Sequence, residues 1–161
     1  MSDLERRLRR LEDLEAVRAL DAQYCRALDD GDWPTLVDLF VDDGEFVGLS
    51  SARGHVELLT FFAGLAGTGL TAFWHHVSNL EIALDGDHAQ VRSFLWQPCV
   101  LAGAPHVAGG RYYDELVRTG GAWRYCRKQV VFDYFAPLAD GWDAGRFTLE
   151  SARATRLPET A

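Results

Sequence analysis

Two side chains in this sequence carry the chemistry for moving a proton. One is the carboxylate of Asp29, which closes the run Tyr24-Cys25-Arg26-Ala27-Leu28-Asp29; the other is an imidazole from the doublet Trp74-His75-His76. A histidine gripped by a carboxylate becomes a general base with a fixed tautomer. Asp29 falls at the predicted end of a helix, where the dipole is negative and a carboxylate costs roughly 0.3–1 kcal/mol unless something offsets it. Its neighbours have simpler roles: Asp32 is placed to cap the next helix and Asp30 stands beside Gly31. A solvated polar turn would also explain Asp29, but Cys25, one helical turn earlier on the same face, suggests a partly buried wall.

The doublet constrains itself. Successive residues of a strand face opposite ways, so only one of His75 and His76 can enter an interior, and the two cannot share one metal. Phe73, His75 and Val77 form the more apolar set, which points His75 inward; a satisfied core histidine would show the same pattern. His55, His88 and His106 are scattered, with no His-x-x-x-His and no mixed triad, so no metal site is expected. Gly-x-Gly-x-x-Gly, a phosphate-loop lysine and Gly-x-Ser-x-Gly are all missing, which argues against a nucleotide cofactor and an ordinary serine hydrolase. On the last predicted strand either Arg127 or Lys128 must point inward, where it could meet an oxyanion or form a salt bridge at the sheet rim.

The elements that must position these groups are readable from periodicity. Leu4, Leu8, Leu11, Leu14, Val17, Leu20, Tyr24 and Leu28 form one stripe of a long helix. Its Arg-rich first turns either project as an oligomer arm or end in solvent. Gly31 stops it. A second helix is expected from Trp33 to Val41, a first strand over 45–49, and a third helix from Gly54 to Leu65. From residue 71 the period becomes two, predicting strands at 72–84, 88–102, 105–118 and 122–135. Asp85-Gly86-Asp87 and Thr119-Gly120-Gly121 read as hairpin turns, and Ala102-Gly103-Ala104-Pro105 as a looser connection. This is an α+β arrangement in which a curved, mostly antiparallel sheet wraps N-terminal helices and leaves a cavity between them. Residues 1–140 form one domain, and 141–161 a tail that wraps it.

Composition limits the partners. The net charge of −8 disfavours nucleic acid and anionic membranes. Three cysteines without clustered spacing predict a reducing cytoplasm and no disulfide framework. The start of the chain is charged, with no apolar leader, and no run reaches the roughly 20 apolar residues of a membrane span.

The chain resembles the SnoaL-like branch of the nuclear transport factor 2-like superfamily over about residues 10–140. The resemblance rests on Tyr24 to Asp29, Asp32-Trp33 with Leu36 to Phe40, Asp42-Asp43-Gly44-Glu45-Phe46, His75-His76-Val77-Ser78-Asn79, Tyr112 to Leu116, Gly121-Ala122-Trp123 and Asp133 to Leu138. It implies a cone-shaped α+β barrel. Within the superfamily the chain is similar to hexachlorocyclohexane dehydrochlorinase, scytalone dehydratase and bile-acid 7α-dehydratase, which use an Asp–His dyad and no cofactor. The resemblance places that dyad on Asp29 and His75, with Tyr24 as a third catalytic group. It makes Phe46, Phe73, Tyr112 and Lys128 substrate-binding. The extra pocket histidines and tyrosines of scytalone dehydratase lack clear counterparts. The implied activity is a cofactor-independent lyase of dehydratase type acting on a hydrophobic polyketide-, steroid- or ring-like molecule, in a homodimer or homotrimer. Two alternatives share the fold: an isomerase or aldol-type cyclase with the same dyad, and a non-catalytic assembly subunit like the small subunit of ring-hydroxylating dioxygenases.

Overall fold

The computed structural model of the chain describes residues 2–140; the expected C-terminal tail lies outside them. The α-helices are α1 (Asp3–Asp30) and α2 (Trp33–Asp38), which precede the sheet, and α3 (Gly54–Gly64), which follows its first two strands. The strands are β1 (Phe40–Val47), β2 (Ser51–Arg53), β3 (Leu70–Phe73), β4 (His76–Asp85), β5 (His88–Leu101), β6 (Ala104–Thr119) and β7 (Ala122–Pro137). They form one sheet in the order β2-β1-β7-β6-β5-β3, with β4 also paired to β5. All pairings are antiparallel except β1 with β7, so the sheet is curled and mixed, in keeping with the α+β cone. No helix among the described residues is long and apolar enough to cross a membrane.

The first helix begins at a Ser2–Glu5 capping box and ends at Gly31, whose φ of 71° is the left-handed conformation that glycine adopts without strain. Only its second half covers the core. Val17, Leu20, Asp21, Tyr24, Ala27 and Leu28 are buried, whereas Leu4, Leu8 and Leu11 are exposed, so the single apolar stripe divides into a packed part and an open one. Asp13 marks the boundary by accepting hydrogen bonds from Arg118 and Trp123.

Four boundaries differ from expectation, each for a tertiary reason. Helix α2 stops at Asp38, and Phe40 already pairs in parallel with Tyr125, because its buried ring packs against Tyr125 (centroids 5.3 Å apart) and Tyr24 (6.3 Å). Pairing with β7 overrides the helical spacing of 39–41 and starts β1 five residues early. Short β2 pairs with β1, which the sequence pattern does not announce. The expected strand 72–84 is two strands, interrupted at Trp74 and His75. The 102–105 connection is tight: Ala102 (φ 49°) and Gly103 (φ 77°) both take positive φ between the paired Leu101 and Ala104, the requirement of a two-residue hairpin.

Bulges give the sheet its curl. Between β6 and β7 the register shifts at Gly109/Gly110, where a Cβ on Gly110 would sit 2.3 Å from the Val131 carbonyl oxygen. A second shift, at Glu115/Leu116, passes over Cys126 in β7. It breaks the expected alternation, so that Tyr125 and Lys128 both face inward. Arg127 pairs instead with Glu45.

Lys128 is therefore the inward cation, and it is fully buried. Its Nζ lies 2.8 Å from Asp114 Oδ2 and 3.3 Å from Asp21 Oδ1, over the rings of Tyr112 (4.2 Å), Tyr24 (4.3 Å) and Tyr125 (4.6 Å). Burial opposes its charge, but the two carboxylates outweigh burial and raise its pKa. Burial pushes Asp114 up to about 6, against the pull of Lys128, and its Oδ1 has no hydrogen-bond partner. A raised carboxyl pKa gives stability that is present while the group is protonated and lost as pH rises through the folded-state value. The stability of the wild type relative to Asp114→Asn should therefore fall by about 2 kcal/mol between pH 4.5 and 7.5, measured by urea unfolding at each pH. A difference that stays flat across that range would contradict the assignment.

Candidate active site

The interruption between β3 and β4 builds the site. Trp74 donates its backbone N–H to the Pro98 carbonyl, while Pro98 itself has no N–H to offer the ladder. The His75 N–H is thereby released from the sheet. It donates to the Asp29 carboxylate, 3.0 Å from Oδ2 and 3.2 Å from Oδ1. The imidazole of the same residue meets that carboxylate too, with Nδ1 2.6 Å from Oδ1. An ionised carboxylate can only accept, so in this contact Nδ1 carries a proton. The two donors from His75 also offset the unfavourable place of Asp29 in the last turn of α1. The side chain of His75 is 6% exposed and that of Asp29 18%.

His75 stands between two spaces. On one side a cavity of about 340 Å³ is walled by Phe46, Phe61, Phe62, Phe73, Phe132 and Phe135, with Tyr24, Tyr112 and Gln97 among the other lining residues. On the other, an open groove between α1 and β4 is bordered by Arg18, Cys25, Arg26, Asp29, Val77 and Leu80. Phe73 packs its ring edge-on against the imidazole at 5.4 Å and fixes its tilt. Nδ1 being held by Asp29, ring geometry turns Nε2 away from the carboxylate, and no described residue hydrogen-bonds to it. His76 is exposed on the outer surface.

The other expected site residues divide. Tyr24, Phe46, Phe73 and Tyr112 all line the cavity. Tyr24 is fully buried and its hydroxyl has no hydrogen-bond partner among the described residues. Burial, reinforced by nearby acidic groups, holds the phenols of Tyr24 and Tyr112 well above their ordinary pKa, so both remain proton donors. Lys128 is not among the cavity residues. It lies behind Tyr24 and Tyr112, which face the cavity themselves and place their rings beside its ammonium group. Its charge is already committed to Asp21 and Asp114.

Gln97 is a cavity residue that sequence reasoning missed. The signal was available in β5, where Ala89, Val91, Ser93, Leu95, Gln97 and Cys99 alternate inward. It was obscured because Phe94 and Trp96, on the opposite face, are the more apolar residues and yet are exposed. All three cysteines are free thiols. Burial pushes Cys25 up to about 12 and Cys99 to about 11, which removes the thiolate that nucleophilic catalysis requires. Among the described residues no cluster of three His, Cys, Asp or Glu side chains could hold a metal ion.

Comparison with known proteins agrees with this architecture. The uncharacterized protein Rv2910c of Mycobacterium tuberculosis (strain ATCC 25618 / H37Rv) is 25% identical over 117 residues, covering 70% of this chain and 80% of that protein. Hexachlorocyclohexane dehydrochlorinase LinA-type3 from Novosphingobium barchaimii LL02 superposes with a TM-score of 0.74 at 22% identity, over 86% of this chain and 95% of the other. A candidate scytalone dehydratase from Novosphingobium aromaticivorans DSM 12444 gives 0.73 at 24% identity, over 80% and 89%. At these identities the two structures speak to fold alone. The SnoaL-like domain family matches residues 9–129, most of the length, and the chain belongs to that family.

Proposed function

We propose that this protein is a cofactor-independent lyase of dehydratase type, in which an Asp29–His75 dyad removes a carbon-bound proton from a hydrophobic ring-containing molecule. The observation that carries the reading is the 2.6 Å contact between Asp29 Oδ1 and His75 Nδ1 at the wall of an apolar cavity. Solved structures that share this fold are named for dehydrochlorination and dehydration, so a lyase is a chemistry in keeping with the fold. A non-catalytic assembly subunit would have no use for a carboxylate that fixes one histidine tautomer.

The steps follow from the geometry. Nε2, with its lone pair available, takes a proton from a carbon next to a carbonyl or a leaving group. Nδ1–H stays bonded to Asp29, whose negative charge stabilises the imidazolium formed; the proton is not passed on to the carboxylate. Electrons from the broken C–H bond move toward the carbonyl oxygen as an enolate, or expel hydroxide directly. Tyr24, an unpartnered phenol that stays protonated, donates to that oxygen or to the leaving hydroxide. The phenyl walls exclude water and strengthen each of these interactions. Isomerisation and aldol cyclisation begin with the same deprotonation and differ in what the enolate does next, so product mass separates them: loss of water against no change.

Deprotonation can be read without the natural substrate, as deuterium uptake from D₂O at the carbon beside the carbonyl of cyclic ketones, with α-tetralone as the reference probe. The wild type should catalyse uptake above buffer, and His75→Gln and Asp29→Asn should each lower the rate by about 10²–10⁴-fold without loss of folded structure. Equal rates for the wild type and His75→Gln would contradict the dyad. Tyr24→Phe should lower kcat on an identified substrate by about 10²-fold with little change in KM, because its bond strengthens as charge develops. A change confined to KM would instead make Tyr24 a binding group.

A further inference from the structure

One buried polar side chain on the cavity wall is left unused by the proton chemistry. Gln97 is 6% exposed and lines the cavity, yet its amide makes no hydrogen bond to any described residue. The amide is not among the polar atoms sealed inside the protein, so it opens onto the cavity and its donor and acceptor are free to bond a partner molecule there.

Strand register fixes where that partner must sit. On one side of the β3/β4 interruption Phe73 pairs with Cys99, and on the other His76 pairs with Trp96. Both registers, carried into the gap, put His75 directly across from Gln97. Cross-strand neighbours of this kind place their Cβ atoms about 4.5–5.5 Å apart. A ligand atom bound by the amide thus lies beside the imidazole. The amide offers an N–H donor and a carbonyl acceptor, which suit a carbonyl or hydroxyl oxygen. A carbon-bound halogen, a poor acceptor and no donor, satisfies neither. At about 340 Å³ the cavity is near the lower end of the ~300–1,000 Å³ range for ligand sites, which favours one or two rings over a four-ring skeleton.

We propose that Gln97 is the specificity-determining residue of this cavity, recognising a carbonyl or hydroxyl oxygen on a one- or two-ring ligand so that the site selects oxygenated rings over halogenated or plain hydrocarbon rings of the same shape. This rests on the reading that the cavity is where His75 meets substrate. Held by Gln97, a carbonyl withdraws electrons from the adjacent carbon, the one His75 is placed to deprotonate.

The test is binding, measured by calorimetry with α-tetralone and its oxygen-free counterpart tetralin. The wild-type preference for α-tetralone should fall about tenfold in Gln97→Leu and persist in His75→Gln. A second readout needs no variant: the carbonyl stretch of ¹³C-labelled α-tetralone should move to lower frequency on binding the wild type. No binding of α-tetralone, an unmoved carbonyl band, or the same preference in Gln97→Leu would overturn the proposal. If deuterium uptake fails while the preference behaves as stated, the proton chemistry is what fails. If uptake proceeds and the preference ignores Gln97, the recognition fails.

Discussion

Of the carboxylates that tie the first helix to the sheet, one meets it at its break. Asp29 closes the first helix and accepts both the ring Nδ1–H and the backbone N–H of His75, the residue at which the sheet breaks. Each side supplies what the other lacks. The helix terminus disfavours a negative charge there, and the interrupted strand would otherwise leave a half-buried N–H without an acceptor. Their meeting holds the imidazole at two points, which is a stronger constraint than a ring hydrogen bond alone. Orientation and position of the ring therefore come from one contact.

Around that contact the polar interior has two levels with opposite logic. Deep in the cone, Lys128 is surrounded by Asp21, Asp114 and three tyrosine rings, and its donors are used within the protein. Nearer the cavity, the Tyr24 hydroxyl and the Gln97 amide have no hydrogen-bond partner among the described residues. Tyr24 and Tyr112 separate the levels, touching the ammonium group and the hollow alike. The committed level gives rigidity, and the uncommitted level is the one the proposed chemistry uses.

Much of this could be read from the chain. The helix stop at Gly31, the change of period near residue 71 and the hairpins at Gly86 and Gly120-Gly121 follow from local rules, because glycine conformation and two-residue alternation depend little on tertiary context. The single inward histidine followed from the same alternation. What escaped were places where long-range pairing overrules local preference. Phe40 leaves a helical pattern to pair with Tyr125, and a bulge at Cys126 turns Lys128 to the same side as Tyr125. Hydrophobicity also misleads on β5, where Trp96 faces outward and Gln97 inward. A polar residue on a cavity wall looks like an error of patterning until the cavity is in view.

The proposed chemistry requires Asp29 to hold His75 with its proton on Nδ1, the nitrogen that meets the carboxylate. Nitrogen-15 NMR of histidine-labelled protein reads this directly through the couplings of each ring nitrogen to the ring protons. The account predicts a neutral His75 locked with its proton on Nδ1 in the wild type and released from that state in Asp29→Asn. A wild-type His75 protonated at Nε2, or one unaffected by the substitution, would contradict it.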